Sequence, residues 1–415
     1  MPQLNGKARC GYSAIMTLPL DSIRVLDLSR ALSGPFCTMI LADLGADVAK
    51  VEPLPAGEMM RGWGPFHEGI GVFYLSINRN KRSLALDFRR PEGLQLLRTL
   101  ATRADVLVEN FKPGTTRAMG IDYESLHGEN PRLVYASITG FGSEGPYGEW
   151  PGFDQIAQGM SGLMSISGFA DGEPTRLGIP IGDLVAGLWT ATGIAAAIAQ
   201  RHNTGKGQKV DTSLLAALVG MLCVQGQRYL SLGEVPGRAG NDHPVIYPYG
   251  TFTASDGLLN LAAATEGMWV KLCRILDLES LIEHPDFADN SARSKNRDAL
   301  RDRLNRRLVM RPAMEWTREL IAAGIPAGPI YTLDQVFNDP HVIHNGLAEQ
   351  VQHPVIGALG QLSNPLRMES IGKRTVRSPP PLLGEHSLEL LQSFGLSSAE
   401  ITQLKAAGIV SVAAP

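Results

Sequence analysis

Cysteine is scarce and scattered: Cys10, Cys37, Cys223 and Cys273 are the only four in 415 residues, and no two form a C-x-x-C pair. That spacing excludes a disulfide framework and a structural zinc knot, and it points to a reducing compartment. A surplus of charge is also missing. The formal net charge is −3, so nothing draws the whole chain to nucleic acid or to an acidic membrane, and any anionic ligand must be met locally. The longest apolar run, Leu184 to Ala199, falls short of a membrane span and is broken by Gly and Thr. It reads as a buried helix, and no membrane partner is expected. Nucleotide and metal signatures are lacking as well. TGKGQK (204–209) has neither the spacing nor the Ser/Thr of a Walker A loop. GFGSEG (140–145) matches G-x-G-x-x-G after a strand, yet turn material follows where a helix is needed, so it reads as a loop. His341 and His344 lack a third ligand, and no metal is predicted.

What remains is the composition of a globular enzyme, 44% hydrophobic and 19% charged, with 45 Gly and 27 Pro for loops. Residues 23–29 have strand composition, 34–46 have helical spacing at Phe36, Ile40 and Leu44, and 47–52 form a second strand, which together make a βαβ unit. A helix over 91–102, strands over 104–111 and 133–139, and a strand and helix over 205–222 continue the alternation. Such alternation predicts an α/β fold with a parallel, doubly wound sheet. Composition shifts near 233–250, and 251–324 reads as a smaller α+β unit whose arginine-rich helix presents a solvated face. SPPPLLGEH (378–386) reads as a rigid linker, and Ser397 to Glu400 as a capping box.

Two acids stand out. Asp183 lies between Gly182 and an apolar helical run, where it serves as an N-cap, as an ionised nucleophile at the positive end of a helix dipole, or as both. Asp154, in GFDQIAQG (152–159), sits in a loop that a parallel sheet folds back over its carboxyl edge. Two carboxylates near one site push their pKa values apart, so that one stays a nucleophile while the other handles protons or charge.

Several blocks in order carry a resemblance: GPFCTMILADLGADVAKVE, NRNKRSLALDFRRPEG, ADVLVENFKPG, ITGFGSEGPYGEWPGFDQIAQ, IGD, TGKGQKVD and PPPLLGEH. From about Pro19 onward the chain resembles the family III CoA transferases, a group that includes formyl-CoA transferase, carnitine CoA-transferase and α-methylacyl-CoA racemase. The resemblance implies a Rossmann-like large domain with a smaller α+β domain, assembled as an interlocked-ring homodimer. It suggests an N-terminal extension over 1–15, the first part of the large domain over 16–228, the small domain with its linker over 229–330, and a return segment over 331–415. Residues 1–15 have no apolar core long enough for a secretory signal, so a cytoplasmic location is expected; they are basic and free of acids, which makes the mitochondrial matrix the alternative. The family's nucleophile falls on Asp183. The coenzyme A thioesters are substrates rather than a permanently bound cofactor. Carried over by position, Arg30, Ala31, Leu86, Arg89, Asn110 and Phe111 would bind CoA, with Arg89 on a phosphate and Phe111 on the adenine.

Where formyl-CoA transferase has a Gln, this chain has Leu32, which argues against formyl or oxalate specificity. The racemase pattern has a His immediately before the acid that aligns with Asp154; here that residue is Phe153, which cannot shuttle a proton. RAGNDHPVIYPYGTF (238–252) resembles the segment of branches that move CoA among short dicarboxylic acids, often from succinyl-CoA. Arg238, Asn241 and His243, with Arg176, are candidates to hold the distal carboxylate. The expected partners are therefore an acyl-CoA and a carboxylic acid, with racemisation of a 2-methylacyl-CoA as the alternative.

Overall fold

The computed structural model describes residues 17–372 and 374–412, so the expected N-terminal extension and Cys10 lie outside the described residues. Backbone contacts divide the chain into two units. The first holds the residues up to Ala157, then Pro180–Leu218 and the residues from His344; the second holds Gln158–Ile179 and Val219–Ile343. Residues 158–179, assigned above to the large domain, thus belong with the smaller one, and hydrogen bonds explain why. The Gly240 N–H donates to the Gly168 carbonyl (2.9 Å), and the Arg238 guanidinium donates to the carbonyls of Phe169 (3.0 Å) and Gly172 (2.6 Å).

In the first unit, β1 (Arg24–Asp27), α1 (Ser33–Asp43) and β2 (Asp47–Pro53) form the expected βαβ element. They are followed by β3 (Arg82–Leu86), α2 (Pro91–Thr102), β4 (Val106–Glu109), β5 (Val134–Thr139) and β6 (Lys209–Ser213). The sheet order is β3-β2-β1-β4-β5-β6, all parallel, with Val410–Ser411 added antiparallel at the β3 edge. This is the doubly wound order, whose topological switch point falls between β1 and β4, where a ligand crevice opens at the carboxyl ends of the strands. Val25, Leu26, Val106 and Leu107 are fully buried, as a sheet covered on both faces requires.

Two further helices bear on the site: α3 (Asp154–Met160) and α4 (Ile181–Thr204). The 24 residues of α4 are long and apolar enough to cross a membrane, which corrects the expectation that this run falls short. One face of it, including Val185, Ala186, Thr190 and Ile194, is buried in the first unit, and that packing accounts for the composition. SPPPLLGEH is not a free linker. The Pro381 carbonyl accepts from Arg61 (3.0 Å) and Tyr74 (3.1 Å), and the Gly384 N–H donates to Ser83 Oγ (2.9 Å), so the segment is strapped onto the β2–β3 side by buried polar groups.

The second unit contains a three-stranded antiparallel sheet, Tyr249–Ala254, Gly257–Ala262 and Ala327–Pro329, over a core that includes Phe252, Trp269, Leu300 and Leu304. Its arginine-rich helix, Arg297–Leu308, buries Leu300, Leu304 and Leu308 at the helical period.

Candidate active site

A buried charge cluster anchors the turn between β1 and α1. Asp27 accepts from Thr38 Oγ1 (2.6 Å), Lys81 Nζ (3.1 Å) and the Ser29 N–H (3.0 Å). Burial pushes its carboxyl up, but the Lys50 and Lys81 ammonium groups and the hydroxyl donors outweigh burial and hold it well below the usual carboxylate range. The same two lysines grip the turn at both ends, Lys50 Nζ on the Ser29 carbonyl (3.0 Å) and Lys81 Nζ on the Pro35 carbonyl (2.8 Å). The turn that presents Ser33 is therefore fixed from below.

Opposite that turn begins α4. Its N-cap position is Pro180, which has no side-chain hydrogen bond to give, and Asp183 is the third residue of the helix. This corrects the N-cap reading of Asp183. The orphan N–H groups of Gly182 and Asp183 are taken instead by Asp154 Oδ1, at 2.7 and 3.3 Å, so the two predicted carboxylates do meet. Gly182 is what lets Asp154 approach, since a Cβ there would lie 2.9 Å from Oδ1. Asp183 is left free to point elsewhere, and the hydroxyl and N–H of Ser33 are the donors that favour its charged form. Burial, then the charge of Asp154, push the Asp183 carboxyl up from 3.8 to about 6, against the pull of the Ser33 donors. At neutral pH it is mostly ionised yet unusually basic, which suits a nucleophile.

Of the residues expected to bind CoA, Arg30, Ala31, Asn110 and Phe111 gather at the switch point. The Arg30 N–H donates to Asn110 Oδ1 (2.7 Å) and Asn110 Nδ2 donates back to the Arg30 carbonyl (2.8 Å), clamping the ends of β1 and β4 together. The Arg30 guanidinium lies 4.9 Å from the centre of the Phe111 ring, and the Ala31 N–H donates to Glu58 (3.0 Å). Arg89 is exposed and holds Asp87 (3.1 Å). Leu86, on β3, lies away from the switch point, with its side chain fully buried in the core and its backbone paired on both sides in the sheet. Beside Phe111 opens a cavity of about 360 Å³ lined in part by Lys112, Arg117, Tyr135, Ser143 and Lys209.

The four carboxylate candidates belong to the second unit, whereas Asp154 and Asp183 belong to the first. The Arg238 guanidinium is committed to the carbonyls of Phe169, Ala170 and Gly172, and so acts as a loop anchor. His243 Nδ1 accepts from the N–H groups of Val245 (3.3 Å) and Ile246 (3.1 Å), and its ring stacks on Tyr249. Arg176 and Asn241 are exposed, Arg176 donating to the neighbouring Leu177 carbonyl. Among the described residues no group of three or more His, Cys, Asp or Glu could hold a metal ion. Sequence reasoning missed Ser33 and Gly187, which touch across 154 positions of chain; the small residues at 182 and 187 were the available signal.

The family model for CoA-transferase family III matches residues 20–387. The human succinyl-CoA:glutarate CoA-transferase is 38% identical over 394 residues, covering 94% of this chain and 90% of that one. The succinyl-CoA:mesaconate CoA-transferase of Haloarcula hispanica is 39% identical over 402 residues, covering 91% and 97% respectively. Among solved structures, a CAIB/BAIF family protein from Brucella suis superposes with a TM-score of 0.83 at 40% identity, covering 91% of this chain and all of that one.

Proposed function

The chain belongs to CoA-transferase family III and is an enzyme of the CoA-transferase class, and from that premise we propose that it moves CoA from succinyl-CoA to a short dicarboxylic acid through Asp183. The observation that carries this reading is Asp183 itself: basic, largely buried, and released from capping duty by Asp154. Its carboxylate attacks the thioester carbonyl of the donor, forming a mixed anhydride and expelling CoA thiolate. The thiolate then attacks the aspartyl carbonyl, releasing the donor acid and leaving an aspartyl-CoA thioester. The acceptor carboxylate repeats the two steps in reverse. One thioester replaces another, so no ATP is consumed.

Arg30, Ala31, Asn110 and Phe111 would line the CoA path, and Arg89 would meet a phosphate by exchanging its contacts with Asp87 and the Leu54 carbonyl. The racemase alternative loses support, because the relatives described above are transferases and Phe153 carries no transferable proton. A homodimer is favoured by apolar surface left bare in each unit. Leu188 and Trp189 of α4 are half exposed, and the helix Cys223–Leu232 buries none of its residues although it carries Val224, Tyr229, Leu230 and Leu232.

The test is chemical trapping. Incubation with succinyl-CoA and then hydroxylamine or borohydride, followed by peptide mass analysis, is expected to place the modification on Asp183. Modification elsewhere, or undiminished transfer by Asp183→Asn, refutes the assignment.

A further inference from the structure

The face of α4 that carries Asp183 also carries Gly187, four residues on and therefore directly above it. A Cβ at Gly187 would stand 2.6 Å from the Ser33 carbonyl oxygen, so this face lies in backbone contact with the first residue of α1. Ser33 is only 3% exposed, so water competes little for its hydroxyl. Asn110 Nδ2 lies 3.5 Å from Ser33 Oγ and donates to it. A serine hydroxyl has one proton and two lone pairs. With the oxygen accepting from Asn110, the proton is free to point at Asp183.

We propose that Ser33 is a positioning residue for the nucleophile: its hydroxyl holds one oxygen of the Asp183 carboxylate and leaves the other to attack the thioester. This rests on the reading of Asp183 as the nucleophile. The contacts run from the Arg30–Asn110 clamp to Ser33, which abuts the α4 face that carries Asp183 and favours its charged form, so the segment that faces CoA would also set the orientation of the group that attacks it. Once Asp183 is acylated, the same proton lies beside the carbonyl oxygen that becomes negative when thiolate attacks. Among the described residues, Asp154 on α3 is the group whose charge acts on Asp183, while α1 contributes the hydroxyl and N–H of Ser33.

The test is the pH profile of kcat/KM for Ser33→Ala, read together with trapping of the intermediate. Removing a donor to the charged form raises the pKa of the acceptor, so the acidic limb moves up by about one pH unit and kcat/KM at pH 5 falls by about ten-fold. A general structural lesion lowers activity without displacing the limb. Ser33→Cys, close in volume but a weaker donor, is expected to move the limb part of the way, and it serves as the test should the alanine variant fail to fold. An acidic limb unmoved in whichever variant folds overturns the inference about Ser33. If trapping in the unaltered protein does not label Asp183, it is the nucleophile reading that fails; if Asp183 is labelled and the limb stays put, only the role of Ser33 fails.

Discussion

Replacing Asp154 with Asn separates two things that this carboxylate does at once. Its Oδ1 caps α4 by accepting from the Gly182 and Asp183 N–H groups, and its negative charge disfavours ionisation of Asp183. Asn keeps a carbonyl oxygen of the same reach and ranks with Asp as a cap, so the helix start survives and the charge alone is lost. The Asp183 carboxyl stands at about 6 against an ordinary 3.8, which at about 1.4 kcal/mol per pH unit is a penalty of about 3 kcal/mol on its charged form. Burial is the largest cause and Asp154 the second, so the neighbour contributes less than burial does. The acidic limb of kcat/KM, which reports the free enzyme, is therefore expected to move down by about 0.5 to 1 pH unit in Asp154→Asn. The assay is succinyl-CoA-dependent transfer measured from pH 4.5 to 8, with melting temperature recorded in parallel. A limb that stays in place, or moves up, refutes the claim that these two carboxylates interact.

Two more outcomes follow from the same geometry. Asp183→Asn is expected to abolish transfer yet raise stability at pH 7 by on the order of 1 to 3 kcal/mol, because an acid whose pKa is raised on folding costs stability once ionised. With 3.8 unfolded and about 6 folded, that cost grows as pH rises through this window, so the gain is full above pH 6 and vanishes below about pH 4; a urea midpoint with no such pH dependence counts against it. Gly187→Ala sets a methyl group 2.6 Å from the Ser33 carbonyl oxygen, a backbone atom with no side-chain freedom to yield. A loss of about 1 to 3 kcal/mol in urea unfolding and a fall in kcat are expected, and unchanged values would mean that α1 and α4 are less closely packed than described.

Much of this architecture was legible in local pattern. Strand composition at 23–29 and 47–52, the helical spacing between them, and Pro91 opening its helix each depend on neighbours a few residues apart, and the structure places β1, α1, β2 and α2 accordingly. The capping box at Ser397 and Glu400 was readable for the same reason. Where the reading failed, a distant partner had decided the matter. SPPPLLGEH has the composition of a spacer, but Ser83, Arg61 and Tyr74 bind it down from about 300 residues away. Leu86 sits in a segment that resembles a ligand-binding motif, but β3 is covered on both faces, so its side chain lies in the core.

The amino-acid sequence by itself determined the alternating elements, the parallel sheet and the two acids worth watching, because periodicity and capping are written within a turn or two of chain. Only the tertiary structure decided what those acids do. Asp183 became available for chemistry because a carboxylate 29 positions earlier took over the helix start, and because Ser33, 150 positions earlier, came to face it across the switch point of the sheet. No local pattern encodes such meetings; they arise from the order in which strands pair and from two glycines small enough to let separate elements touch.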